Sequence, residues 1–176
     1  MSKSVNRVKA ALTAAGIASE VIELQVSTKS AQDAATALGI EIDRIAKSII
    51  MQGCDSKDLY LFITAGGNRV SPKMATALVG ENIERSEAQT IRDRTGFAIG
   101  GVSPIGHLSP IKSFLDPRLI DFTTVWAAGG TPRHLLEIRP AELVALSGAT
   151  VTRFTELPKA QENTAQGDAL QALGRA

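Results

Sequence analysis

Cysteine is almost missing from this chain. Cys54 stands alone among 176 residues, which excludes an internal disulfide framework and any zinc cluster built from cysteines. Histidine is nearly as scarce, with only His107 and His134. Neither an H-E-x-x-H nor an H-x-H pattern occurs and no acidic cluster takes its place, so no metal and no other cofactor is expected. Aromatic residues make up 4%, leaving the core to Ala, Leu, Ile and Val. Net charge is also nearly absent: 19 Lys and Arg face 18 Asp and Glu, for a formal +1. A polybasic binder is excluded, and any nucleic-acid contact must use a local patch. No apolar run approaches the ~20 residues that span a bilayer. The N-terminus carries Lys3, Arg7 and Lys9 ahead of an apolar stretch broken by Thr13 and Gly16, the mark of a short amphipathic helix rather than a secretory signal. A soluble cytoplasmic protein with no membrane partner is the expectation.

What is present is ordinary for a globular chain, with 44% hydrophobic and 21% charged residues. This length predicts one domain, burying about two-thirds of the unfolded chain's surface. Val5, Val8, Leu12 and Ala15 mark one face of a helix ended by Gly16, and Val21–Leu24 reads as a strand. A second helix runs over Ser30–Leu38, with Ser30 as N-cap, Asp33 in the first turn and Gly39 past the end. Asp43–Ala46 reads as a helical turn leading into Lys47. Ser48–Met51 and Leu59–Thr64 form a hairpin, Gly66-Gly67-Asn68 a turn, and Pro72 opens a helix reaching Val79. Ser86, with Gln89 three residues on, resembles a capping box for a helix to Arg94. Further strands are predicted at Phe97–Ile99, Thr123–Ala127 and His134–Ile138, a helix at Pro140–Leu146, and a closing strand within Ala149–Phe154. The elements mix without regular βαβ spacing, so the fold class is α+β: a single domain with a mixed, mostly antiparallel sheet flanked by helices. That domain covers residues 1–157. Residues 158–176 form a polar, Ala/Gln-rich tail, expected to be flexible, in which Leu170 and Leu173 could make one helical turn.

The motifs of common chemistries are incomplete. Cys54 lies in the turn-like Gly53-Cys54-Asp55-Ser56 and reads as a tolerated loop residue. Ser103 begins like a nucleophile elbow after Gly101, but Ile105 stands where the second glycine belongs. Neither a Walker A nor a G-x-G-x-x-G pattern occurs, so ATP hydrolysis and dinucleotide binding are not expected. A distributed set remains. Lys47 enters an apolar strand, where it either snorkels or aims a cation at a phosphate or carbonyl. Gly100 and Gly101, followed by Pro104 and Gly106, make a stiff loop with an accessible backbone. Such a loop is either a tight corner or a set of N–H donors for a carbonyl oxygen gaining charge. Gly129 and Gly130 lie just before His134, itself either a half-buried structural residue or a contact at the strand mouth.

Taken in order, three segments resemble the YbaK/prolyl-tRNA-synthetase editing-domain family, the stand-alone aminoacyl-tRNA deacylases. They are Lys47 in RIAKSII, the G-x-x-x-P loop Gly100-Gly101-Val102-Ser103-Pro104 in TGFAIGGVSPIGH, and VWAAGGTPRHLLEI. Ser30-Ala31-Gln32-Asp33-Ala34-Ala35 with Leu38-Gly39 resembles the family's early helix, and the match covers about residues 3–155.

The resemblance implies hydrolysis of the ester joining a wrong small amino acid to tRNA, most often tRNA-Pro. The partners would be the aminoacylated 3′ end of that tRNA and prolyl-tRNA synthetase. Lys47, Gly100 and Gly101 are then the catalytic candidates: the two glycines orient the ester and amino group, and Lys47 holds the phosphate or carbonyl region of the terminal adenosine. Ser30, Ser48, Val102, Ser103, Pro104, Gly129, Gly130 and His134 are the substrate-binding candidates, His134 as a peripheral contact. Alanine-selective members carry Lys-Asn where this chain has Lys47-Ser48, which points towards cysteine, 2-aminobutyrate or hydroxyl-bearing residues. Two other readings stay open: a non-catalytic tRNA-binding or synthetase-associated module of the same fold, and a small-molecule ester or amide hydrolase. Dispersed basic residues such as Lys57, Arg69, Lys73 and Arg133 would be the binder's patch or simply solvated surface.

Overall fold

Three buried side chains, Val5, Val8 and Leu12, form the apolar stripe of helix α1 (Lys3–Ala14) and seat it on the sheet. The computed structural model describes residues 2–156; the predicted tail, with Leu170 and Leu173, lies outside them. Strand β1 (Val21–Glu23) leads to helix α2 (Ala31–Leu38). Here Ser30 Oγ accepts from the Asp33 N–H at 3.1 Å, the Asp33 carboxylate accepts from the Ser30 N–H at 3.1 Å, and Gly39 closes the helix in the left-handed region. A 3₁₀ turn, Ile42–Arg44, precedes β2 (Ile45–Gly53), which pairs antiparallel with β3 (Leu59–Ala65). Helix α3 (Pro72–Val79) begins with Ser71 as cap and Pro72 in its first turn. There follow β4 (Ile83–Arg85), α4 (Ala88–Thr95), β5 (Lys112–Leu115), β6 (Val125–Ala128), β7 (His134–Ile138), α5 (Pro140–Ser147) and β8 (Thr150–Val151).

Three local expectations change. Helix α4 starts at Ala88 with Glu87 at its N-cap, so Ser86 is not its cap; β4 holds the chain extended up to Arg85 and pushes the helix start onward. Phe97–Ile99 is not a strand. Phe97 is fully buried and its N–H is taken by Thr95 Oγ1 at 3.0 Å rather than by a neighbouring strand. Strands β4 and β5 were not anticipated, since three and four residues carry too little pattern to show alternation.

The sheet runs β1-β7-β6-β2-β3-β5-β8, with β4 also on β2. Pairings are mixed: β2–β6, β3–β5 and β5–β8 are parallel, and the other four are antiparallel. All seven residues of β3 are buried, which marks a central strand covered on both faces. On one face Ala46, Ile50, Leu61 and Ile63 pack with Val8, Leu12, Ile91 and Leu143 from the helices. On the other, Phe62 stacks on Phe114 at 5.3 Å and meets Phe154 edge-on at 5.1 Å, over α3.

One feature of β2 governs the rest. Along its edge away from β3 it pairs first with β6, at Ile45 and Ala46, and later with β4, at Met51 to Gly53. Residues 47–50 have no strand on that side. Ladder alternation leaves the backbone N–H and C=O of two of these four residues facing the opening.

The loop after α4 covers that opening and is held by close backbone packing. A Cβ on Gly101 would lie 2.6 Å from Thr131 Cα, and one on Gly130 2.8 Å from the Ser4 carbonyl carbon. Gly130 also has φ +109°, which a larger residue would resist. From α1, Arg7 bonds the Gly96 and Gly106 carbonyls and its guanidinium lies 4.9 Å from the Phe97 ring centre. Replacing Gly101 with Ala is expected to cost about 1–3 kcal/mol by forcing these loops apart. Chemical denaturation measures it, and an unchanged midpoint contradicts this packing account.

Candidate active site

A cavity of about 420 Å³ occupies the break in β2's edge, within the usual size of a small-molecule site. Its floor is Ala46, Ser48 and Ile50 from β2, with Ile91 and Val102. Arg85 and Ser86 enter where β4 ends, Ala128 where β6 ends, and Thr131 just beyond. Thr28, Lys29 and Ser30 form one lip, Ile99 and Gly100 the other. The first lip is latched by Thr28, whose N–H and hydroxyl both donate to the Pro132 carbonyl, at 2.7 and 2.9 Å.

Of the residues singled out from sequence, Lys47, Ser30, Ser48, Gly100 and Val102 line this cavity together. Lys47 Nζ donates to the Gly66 carbonyl at 3.2 Å and the Asn68 carbonyl at 2.9 Å. That leaves one ammonium N–H uncommitted. The turn is fixed in its own right: buried Asp116 accepts from Asn68 Nδ2 at 2.8 Å, the Ala65 N–H at 3.2 Å and the Arg118 N–H at 3.0 Å. Half-burial first, and then the charge of Arg69, hold the Lys47 ammonium below its ordinary pKa. Lys47 is therefore a positioned cation rather than a freely snorkelling one.

The remaining candidates stand behind the cavity. The Gly101 N–H is spent on the Ala98 carbonyl at 3.0 Å; among the described residues the Gly100 N–H has no such acceptor, so Gly100 rather than Gly101 can offer a donor. Ser103 is fully buried, its hydroxyl accepting from the Ile105 N–H at 3.4 Å and its carbonyl held by His107 Nε2 at 2.6 Å, so neither a nucleophilic nor a substrate-contact role fits it. Pro104 is buried beside it. Gly129 packs on the His134 carbonyl and Gly130 on α1. His134 does not line the cavity: its Nδ1 lies 2.6 Å from Thr131 Oγ1, and Thr131 is the residue at the wall. Cys54 is not in the cavity lining; it stands in the β2–β3 turn, its N–H donating to the carbonyl of Asn82 just before β4.

Sequence reading passed over Lys29, Arg85, Ser86 and Thr131. Thr131 stands inside the third motif, next to Gly130, while the other three lie outside the motifs and reach the cavity only through chain closure. Lys29 and Arg85 decide its electrostatics, because with Lys47 they make three cations in the lining, which holds no carboxylate. Among the described residues neither Lys29 nor Arg85 makes an ion pair, whereas Lys57 is paired with Glu84 and Arg133 with Glu23. A second hollow, of about 560 Å³, has the opposite character: Glu20, Glu137 and Glu142 line it with a single Arg139. An anionic ligand is attracted to the first and repelled by the second.

Comparison with known proteins identifies the family. The model of the aminoacyl-tRNA editing domain family matches residues 25–146, and the chain belongs to that family. A crystal structure described as "a putative trans-editing enzyme for prolyl tRNA synthetase" is 44% identical, with a TM-score of 0.83 over 89% of this chain and 99% of that one. Protein YwhH of Bacillus subtilis (strain 168) is 30% identical over 132 residues, 75% of this chain and 83% of its own. A protein of Enterococcus faecalis (strain ATCC 700802 / V583), described as "Putative Cys-tRNA(Pro)/Cys-tRNA(Cys) deacylase EbsC", is 24% identical over 126 residues, 72% of this chain and 77% of its own.

His107 ties the covering loop to itself, and burial first of all lowers its pKa below 6.5, opposed by the bond to the Ser103 carbonyl and aided by nearby Arg7. The unfolded chain then binds the proton more readily, so this contribution is complete above pH 6.5 and is lost as pH falls from there through the folded-state value. Denaturation midpoints measured between pH 7.5 and 5 should therefore fall more steeply for the wild type than for His107→Gln. Parallel curves would contradict the assignment.

Proposed function

We propose that this protein is a trans-editing deacylase that hydrolyses the ester between a small non-cognate amino acid and the 3′ end of tRNA, with tRNA-Pro as the carrier. The observation that carries the reading is the cavity itself: a largely aliphatic floor with two serines, suited to a small side chain, under a rim of cations suited to phosphate. The family and the names of the relatives support the reaction type and the tRNA-Pro carrier, and they favour prolyl-tRNA synthetase as the partner that supplies the mischarged tRNA. With a net charge of only +1, the chain has little long-range pull on a polyanion, so a partner that delivers the substrate answers a physical need.

An aminoacyl ester is already activated, and the vicinal 2′-hydroxyl of the ribose can help to place a water. The protein's task is then to hold the ester and stabilise charge. Water adds to the ester carbonyl carbon, and negative charge collects on the carbonyl oxygen near the Gly100 N–H. The bond to the ribose 3′-oxygen breaks, that oxygen takes up the proton, and the free amino acid and uncharged tRNA depart. The spare N–H of Lys47 holds the ester or the adjoining phosphate, while Lys29 and Arg85 grip phosphates at the rim. Aliphatic walls exclude proline by size, which is worth only ~1–3 kcal/mol per methylene.

Deacylation of tRNA-Pro charged separately with Ala, Cys, Ser, Thr, 2-aminobutyrate and Pro tests this. Hydrolysis of one or more small residues but not Pro is expected, with Lys47→Ala lowering kcat/KM by about a hundredfold while the protein stays folded. Arg85→Ala should raise KM and flatten its salt dependence by about 0.7 in log–log slope, the share of one single-strand phosphate contact. Binding of aminoacyl-tRNA without hydrolysis would replace the enzyme by the non-catalytic module. Hydrolysis of simple aminoacyl esters as fast as of the tRNA ester would replace it by a small-molecule hydrolase.

A further inference from the structure

Two buried side-chain oxygens among the described residues have no hydrogen-bond partner, Ser48 Oγ and Ser86 Oγ, and both residues line the cavity. A buried hydroxyl left without a partner is unfavourable and uncommon in a folded protein. Two at one cavity, and none elsewhere among the described residues, mark a place built for a polar group, which each serine meets by turning about χ1, since neither oxygen is open to the empty cavity.

Their position says which part of a ligand they meet. Ser48 lies between Ala46 and Ile50 on the β2 face that carries the main core. Arg85 is paired with Met51, so Ser86, the next residue along antiparallel β4, stands beside Ile50. Both serines are thus at the floor, among Ala46, Ile50, Ile91 and Val102, and away from the cationic rim. In the orientation already proposed, with phosphates at the rim, the floor receives the amino-acid side chain.

We infer that Ser48 and Ser86 select a β-hydroxy amino acid, serine or threonine, as the residue removed. This inference rests on the deacylase reading above and deepens it. A hydroxyl group both donates and accepts, so the substrate's hydroxyl gives its hydrogen to one serine oxygen and accepts from the other. Alanine and 2-aminobutyrate satisfy neither, and a thiol is a weak donor and acceptor. Specificity of this kind is strong, because a substrate lacking the group leaves buried polar atoms unpaired.

The test compares kcat/KM for tRNA-Pro charged with Ser, Ala or 2-aminobutyrate, in wild type, Ser48→Ala and Ser86→Ala. The wild type is expected to prefer the seryl ester by about tenfold or more, and each variant to reduce the Ser-to-Ala ratio by about tenfold. Neither variant should melt lower than wild type, since each removes an unsatisfied hydroxyl. A wild type without seryl preference overturns the inference. So do variants in which all three esters slow together at constant ratio, which would place the hydroxyls against the α-amino group or a water common to every substrate, and so does a lower melting midpoint, which would show the hydroxyls already bonded. Hydrolysis of none of the six esters by folded wild type overturns the deacylase reading, a separate outcome that removes the inference with it.

Discussion

Strand β2 shares one edge between two partners that do not meet. Strand β6 runs parallel to it and turns away after Ala128; β4 runs antiparallel from the other end and turns away after Arg85. An interior strand is thereby left with four residues open on one side. Unpaired main-chain groups inside a fold are costly unless water or a ligand reaches them, so the opening has to remain a cavity. Everything placed around it follows: Lys47 and Ser48 occupy the open stretch itself, and Ser86, Ala128 and Thr131 mark where the two partners leave.

The surroundings are stiff where the proposed chemistry needs them to be. Asp116 fixes the 66–68 turn, and that turn fixes Lys47. Helix α1, through Arg7 and through its backbone against Gly130 and Gly106, holds the two loops that close the cavity. Glycine matters there for close approach of one backbone to another, and only at Gly100 does it also leave an N–H at the cavity lip. A chain of nearly zero net charge still places three cations and no acid in the lining of this cavity, so the local field is set by placement rather than by composition.

Sequence carried the locally encoded part of this. Ser30, Asp33 and Gly39 describe their own helix, Pro72 opens another, and the β2–β3 hairpin shows in two apolar runs separated by turn residues. Strands β4 and β5 escaped because their identity comes from the strands they join. At the site, Lys47, Ser48, Gly100 and Val102 are found through short motifs, whereas Lys29, Arg85 and Ser86 lie outside them and join the site only when the sheet closes. The same limit works in reverse for Ser103, Pro104 and His134. A contiguous motif does not say which of its residues faces the ligand, and here Ser103 is folded inward while His134 reaches the cavity only through Thr131. Ser86 is the instructive case: the pattern of a helix cap is present, yet tertiary pairing of β4 claims the preceding residues and places Ser86 in the cavity lining with its hydroxyl unpartnered.

The central claim, that the open stretch of β2 receives the aminoacyl end of tRNA, is tested most directly by amide chemical-shift mapping with a non-hydrolysable 3′-seryl-amido adenosine. The expected result is saturable shifts concentrated at the main-chain amides of residues 47–50 and 100–102, spreading to Arg85 and Ser86. Shifts confined to the acidic hollow around Glu20, Trp126 and Glu142, or no saturable shifts at all, would contradict it.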